Sequence, residues 1–396
     1  MIKKVRTYFS EHGDRIWPLV GITAVIGTLM LYKLGSLTGA LAASEIAVTH
    51  MPLGWHGLSQ DPFFLPIKFL RSLLMILFNH HGQTVVRLAN TIFGVLAVLG
   101  FSRLLQLWYG GRTAFMGAAL FLTSAWVLHV SRFASNDVVY LAALPIMFYV
   151  QMSLKRAELS VWMYIAPVVW GLALYVPGLI WLVAVQIWLL RKELLSGWQN
   201  LQALWKRVIV GLLGLMWLPP LLLHVFSSGS NFATWVGLPS HFPGAIELGK
   251  QFLGVPLHLF IHGPKNPELW LGKAPVMDIF TLACSLLGIY FYATHLSANR
   301  SRSLFSLFGV SWLLVALGGP VSLSLIVPLM YLFAACGIGY LLHDWLKVFP
   351  HNPFARTLGI SLIAVAVAVS ITYNVRAYFV AWPHNPDTIS IFTHKP

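Results

Sequence analysis

The chain has 396 residues, of which 58% are hydrophobic and only 10% charged, and its formal net charge is +14. So little charge cannot cover a water-soluble fold of this size, which excludes a soluble domain and points to an all-α polytopic membrane protein. The basic excess is spread over many short loops, as membrane topology requires, so no nucleic acid is implied as partner.

In chain order the apolar spans fall at about 17–37, 84–107, 113–130, 137–153, 161–174, 177–190, 208–226, 277–296, 304–318, 321–342 and 357–380, giving about 11 transmembrane helices. The first is long for a signal-peptide core and reads as a retained helix, with cleavage after Ala40-Leu41-Ala42 as the minor alternative. Leu174-Tyr175-Val176-Pro177-Gly178 reads as a break between two short spans. Cys284 and Cys336 both lie inside spans, so there is no disulfide framework and no Cys-based metal motif.

With the N-terminus inside, 16 of the 26 basic residues fall in short inner segments, from Lys3 and Lys4 through Arg112 and Arg191 to Arg300 and Arg356. That bias sets the orientation in a cytoplasmic (inner) membrane. It divides the chain into an N-terminal transmembrane module over 1–226, with a first outer loop at 38–83, an outer loop at 227–276, and C-terminal transmembrane helices over 277–396. Within the first outer loop, apolar residues recur at 63, 64, 67, 70, 74, 77 and 78, with Lys68 and Arg71 off the stripe. This spacing predicts an amphipathic helix lying flat in the membrane interface.

Two of the 12 acidic residues follow the first and third spans, and the orientation puts both on the outer side. Glu45 follows Ala42-Ala43-Ser44, and Asp137 ends Ser131-Arg132-Phe133-Ala134-Ser135-Asn136. A carboxylate at the membrane edge is costly unless it binds something, which makes the pair the first candidates for chemistry. A solvated loop acid is the plain alternative for Glu45, and helix capping for Asp137. Arg132 either pairs with Asp137 or offers its fork of donors to a phosphate. Lys273 stands where it can meet a lipid phosphate, and Asp278 caps the next span or points into a cavity. Asp61-Pro62 is a turn signal whose acid reads as a cap. His50, His56, His80, His81, His129, His241, His258 and His262 map to or near the outer side and read as interfacial or structural. No pair among them is taken to mark a metal site.

The stretch from Glu45 to about Val150 resembles the GT-C integral-membrane glycosyltransferases, in particular the dolichyl-phosphate-mannose protein mannosyltransferase and lipid A aminoarabinose transferase branch. The resemblance is carried by an ordered set of motifs. An acid in the first outer loop precedes an amphipathic helix with a Pro-containing entry. Arg87-Leu88 then opens the second span, Gly110-Gly111-Arg112 opens the third, and Ser131-Arg132-Phe133 leads to Asp137. Beyond residue 200 the likeness is one of topology. The family carries an acid pair or a lone Asp in the first loop, where this chain has Ser44-Glu45.

The resemblance implies an inverting transfer of a sugar from a polyprenyl-phosphate donor to an acceptor at the outer face of the membrane. It implies Glu45 as general base or acceptor-positioning carboxylate. Asp137 would be a second acid that helps bind the acceptor or a divalent metal ion, with no other cofactor. Arg132 and Lys273 would hold the polyprenyl phosphate, with His50 and Asp61 beside the substrate. The remaining partners are membrane lipids and an acceptor that the sequence does not specify. A transporter or flippase for a lipid-linked or polar solute is the competing class, but transporters show internal repeats and mid-membrane charges, whereas these acids cluster at one face. A non-catalytic relative of the transferases is the third reading.

Overall fold

The computed structural model describes residues 24–51, 54–78, 82–156, 161–264, 266–269, 271–272 and 274–393. Its regular structure is helical, with no β-strand among the described residues. The first helix is described over 24–31 (α1). The first outer loop then folds into α2 (Ala43–Thr49), α3 (Gly54–Gln60) and α4 (Leu65–Phe78). Three apolar segments follow: α5 (Gln83–Trp108), the bent pair α6 (Gly111–Thr123) and α7 (Ala125–Arg132), and α8 (Val138–Arg156).

The chain continues through α9 (Trp162–Ala173), α10 (Leu179–Leu189), α11 (Arg191–Asn200), α12 (Leu204–Leu215), α13 (Leu218–Val225) and α14 (Gly229–Val236). A second outer segment carries α15 (Ala245–Phe260). It is followed by α16 (Ile279–Thr294), α17 (Asn299–Ala316), α18 (Val327–Val348), α19 (Pro353–Arg376) and the short α20 (Pro386–Ile391).

Among the described residues, five stretches are long and apolar enough to cross a membrane: Gln83–Trp108, Val138–Lys155, Leu204–Val225, Leu323–Val348 and Pro353–His384. The α6–α7 pair makes a sixth if it counts as one span, and α9, α10 and α16 are apolar but shorter. Of the 11 spans expected from the sequence, the described residues thus show five or six at full length, and most of the first lies outside them.

The expected break at 174–178 is present, with Gly178 at φ +79° starting α10 and donating its N–H to Trp235 O at 2.9 Å. A second break was not foreseen. The third span bends by 57° at Ser124, whose hydroxyl caps α7 while Asn374 of α19 accepts the Ala125 N–H at 3.2 Å. A serine that can bond its own backbone offers the chain an alternative to a continuous helix, and the tertiary partner fixes that choice.

The core is built around α18, whose first 12 residues are all buried. Its crossing with α16 is backbone to backbone: a Cβ on Gly288 would strike Phe333 O, and one on Gly337 would strike Cys284 O. Such close approach is how helices gain dispersion contact where lipid supplies no hydrophobic drive.

The loops between spans collect at two ends. At one end, Phe64 N–H bonds Tyr175 O, Tyr140 Oη bonds Pro177 O, and Ser44 N–H reaches Glu268. That end holds both candidate acids and described parts of the two segments expected on the outer side. At the opposite end, Tyr109 meets Tyr292 and Arg300 reaches Trp108 O.

Candidate functional site

α4 sets the geometry of the acid-bearing end. Its inner face is Ile67, Arg71, Ser72, Leu74 and Met75, whereas Phe69, Leu73, Ile76, Leu77 and Phe78 are exposed. Arg71, expected off the apolar stripe that was to face the membrane interface, is buried together with the stripe residues Ile67 and Leu74. The helix is apolar on both sides, and what decides its rotation is a polar nest that only Arg71 can satisfy. Arg71 Nη1 donates to Asn136 Oδ1 at 2.9 Å, and Nη2 donates to Asn90 Oδ1 at 2.9 Å and Ser135 O at 2.5 Å. Its Nε–H is buried without a partner. Burial pushes the Arg71 pKa down to about 10, against the raising effect of the Glu45 and Asp137 charges.

Glu45 lies in the first turn of α2 and is fully buried. Arg87 grips it side-on, Nε to Oε1 at 2.8 Å and Nη2 to Oε2 at 2.7 Å. Two backbone N–H groups complete the set: Ala134 donates to Oε1 at 3.1 Å and Ala42 to Oε2 at 3.2 Å. A carboxylate offers about four lone-pair directions, and here each oxygen receives two donors. Arg87 in turn donates to Leu34 O at 3.0 Å and Ala40 O at 3.1 Å, knotting the first loop onto α5. The partner of Glu45 was missed, although a signal existed. Arg87 sits in the first turns of an apolar span, where a cation must find an acid.

Asp137 differs in every respect. It is half-buried in the loop that opens α8, and its partners are hydroxyls: Ser135 Oγ at 3.3 Å, and Ser322. Desolvation raises its pKa above the ordinary carboxylate value, while the Ser322 and Ser135 hydroxyls and the Arg71 charge pull it back. The two ion pairs among the described residues are Arg87–Glu45 and Lys68–Asp61, so Asp137 belongs to neither.

Arg132 does not pair with Asp137. It turns to the end of α1, donating Nη1 to Leu29 O at 2.6 Å and Nη2 to Tyr32 O at 2.5 Å, and lies over the Tyr378 and Phe379 rings. With Arg87 and His129 it lines a tight crevice closed by Tyr378 and Trp382, and its Nε and His129 Nδ1 are buried there without partners. His129 Nε2 lies 2.9 Å from Glu268 O.

His50 is exposed and contributes only its N–H, to Ile46 O, at the end of α2. Asp61 is exposed, accepts Phe63 N–H at 3.2 Å and pairs with Lys68 at 2.6 Å, which is its cap reading. Asp278 also caps: it accepts Thr281 N–H at 3.0 Å, and Ser370 and Asn374 of α19 close the ring at 2.8 and 3.0 Å. Lys273, His80, His81 and the side chain of His56 lie outside the described residues.

His258 and His262, four apart in sequence, bring their rings to 5.2 Å, with both Nδ1 atoms near Gly263 O. No group of three or more His, Cys, Asp or Glu side chains among the described residues is placed to hold a metal ion. Asp137 brings one carboxylate where a divalent ion needs several oxygens, and no step below is routed through one.

Beside the site, a cavity of about 720 Å³ runs along the last part of α19. It is walled by Val365, Val369 and Tyr373 and bounded by Leu271, Arg376 and Asn385. Trp382 is shared between this groove and the Arg87–Arg132 crevice.

Comparison with solved structures shows that this helical bundle shares its fold with a solved membrane protein. The chain is similar to ArnT from Cupriavidus metallidurans bound to undecaprenyl phosphate, with a TM-score of 0.56 and 12% identity over 96% of this chain and 77% of that one. The apo state of the same protein gives a TM-score of 0.53 and 14% identity over the same shares. No family model matches the sequence, and neither does any curated protein. The likeness is therefore one of fold.

Proposed function

We propose that the protein is a GT-C type glycosyltransferase that moves a sugar from a polyprenyl-phosphate donor to an acceptor hydroxyl at the outer face of a cytoplasmic membrane. One observation carries the reading. It is a half-buried acid, Asp137, with no ion-pair partner among the described residues, beside the buried Arg71, in a chain whose fold is like that of ArnT over 96% of its length. The ArnT structure that binds undecaprenyl phosphate supports a polyprenyl-phosphate donor.

The chemistry follows from the groups. The acceptor oxygen attacks the anomeric carbon as the sugar–phosphate bond breaks, and configuration inverts. Asp137 takes the acceptor proton, and its raised pKa brings its basicity closer to the working pH. Arg71 stabilises negative charge nearby, at a point where low dielectric strengthens its field. Glu45 has no lone pair left for a proton, so its role is positioning: it fixes α2 and the 133–137 loop through Arg87 and Ala134.

The isoprenoid chain occupies the groove along α19, and Arg376 in its wall meets the phosphate; the same role for Lys273 rests on the sequence alone. Arg132 acts through the first helix rather than on the phosphate.

The test is transfer from a panel of radiolabelled polyprenyl-phosphate hexoses by the purified protein in lipid, read as release of polyprenyl phosphate. The expected result is turnover of at least one donor that is lost in Asp137→Asn. Turnover unchanged by that substitution would remove Asp137 from the chemistry. Movement of intact donor between leaflets without release would favour a flippase.

A further inference from the structure

At the end of the bundle opposite Asp137 lies a second cavity, of about 560 Å³. It sits where the α5–α6 turn, the α16–α17 turn and the far half of α18 meet, with Arg300 and Tyr292 in its wall. The reading of the reaction leaves these groups unused.

The cavity is rich in donors. The Arg300 guanidinium is held over the Trp108 ring at 4.9 Å with one Nη1 bond of 3.3 Å to Trp108 O, and it has no carboxylate partner among the described residues. The Tyr109 and Tyr292 hydroxyls stand 2.6 Å apart. Arg300 also bonds the Tyr292 hydroxyl, and the second proton of the tyrosine pair has the Cys336 thiol, a weak acceptor, as its partner.

Gly110 and Ala298, which start α6 and α17, both line the cavity, and neither helix has a side-chain cap. Their first N–H groups therefore add positive potential to the arginine. His295 and His343 stand at the rim. Asp344, one residue beyond the lining His343, is engaged by Tyr340. No carboxylate lines the space.

We infer that this cavity binds the phosphodiester headgroup of an anionic phospholipid from the leaflet on that side of the membrane. A guanidinium without a carboxylate among the described residues and an O–H held only by a weak acceptor select an anion, and position selects a lipid. Tyr290 and Leu341, on the helices that form the wall, are exposed apolar residues that face the surrounding bilayer. Basic pockets between membrane helices take anionic headgroups for this reason. The ligand would tie the α5–α6 turn to the α16–α17 turn, and since it binds only the folded state it would raise the melting temperature.

The experiment uses the full chain in phosphatidylcholine nanodiscs, with no sugar donor present, so its outcome is independent of the transfer reading. Phosphatidylglycerol is titrated in and the melting temperature followed, with lipid retention read by native mass spectrometry. The expected result is a rise in melting temperature with phosphatidylglycerol, and retention that weakens roughly fivefold in Arg300→Gln. Arg302→Gln, whose guanidinium is engaged by Asn299 at the surface, should behave as wild type. Tyr292→Phe serves if Arg300→Gln does not fold. Equal responses to both lipids, or retention unchanged in Arg300→Gln and Tyr292→Phe, would overturn the inference. So would the same stabilisation by inorganic phosphate alone, which would assign the cavity to a free anion.

Discussion

Glu45 and Asp137 look alike in the sequence, one acid after each of two spans on the same side, and the structure separates them. Glu45 has no exposed surface, and its two oxygens accept four hydrogen bonds, two of them from Arg87. Asp137 is half-buried, accepts from hydroxyls, and has no ion-pair partner. The first arrangement holds a loop in place and leaves nothing for a substrate. The second keeps an unneutralised acid where a proton can reach it. Proximity to the membrane edge therefore did not distinguish the two acids; the count of donors does, and the roles proposed for them rest on it.

That contrast can be broken most directly at Asp137. Asp137→Asn is expected to lower transfer by about 10²–10⁴-fold with the melting temperature nearly unchanged. Glu45→Gln should do the reverse, leaving Arg87 as an uncompensated buried charge and costing about 3–5 kcal/mol of stability, read by thermal unfolding in detergent. A Glu45→Gln protein that melts like the wild type yet fails to turn over donor would exchange the two roles.

The contrast sharpens further with pH. Because the folded-state pKa of Asp137 is raised, its basic form, and with it activity, is lost as pH falls through a value above that of an ordinary carboxylate. Protonation of the same group favours the folded state, so its contribution to stability is full below the ordinary carboxylate value of the unfolded chain and is lost as pH rises from there through the raised folded-state pKa. Arg71→Gln removes a charge that pulls the pKa down, so the acidic limb of the pH–rate profile should move to higher pH. An unmoved limb would show that a different group titrates. The smallest effect belongs to Asp61→Asn. Its pair with Lys68 is exposed, and the change should stay within about 0.5 kcal/mol.

Much of the helical layout was legible because apolar runs, Pro177-Gly178 and charged turns are local signals. α5, α8 and α18 fall close to their expected places, and both acids lie at the same end of the bundle. What the sequence did not show depends on contacts far along the chain. Arg87 and Glu45 are 42 residues apart, and nothing in either segment names the other. The rotation of α4 depends on Asn90, Asn136 and Ser135, which a stripe of apolar residues cannot register. The bend at Ser124 needs Asn374, 250 positions later by chain number. Arg132 read as a phosphate ligand because its chemistry suits one, yet the carbonyls of α1 take its guanidinium.

Asn374 carries a mechanical consequence. Its amide oxygen accepts from the first residue of α7 at 3.2 Å, and its nitrogen donates to the Asp278 carboxylate at 3.0 Å. α7 is buried along its whole length and runs straight into the loop that presents Asp137. The last span thus works as a strut for the acid, and the groove that would be loaded by an isoprenoid chain runs along that same strut. Asn374→Leu, many residues from either acid, is expected to slow turnover without weakening the Glu45–Arg87 knot, a defect of alignment that would show in kcat more than in melting temperature.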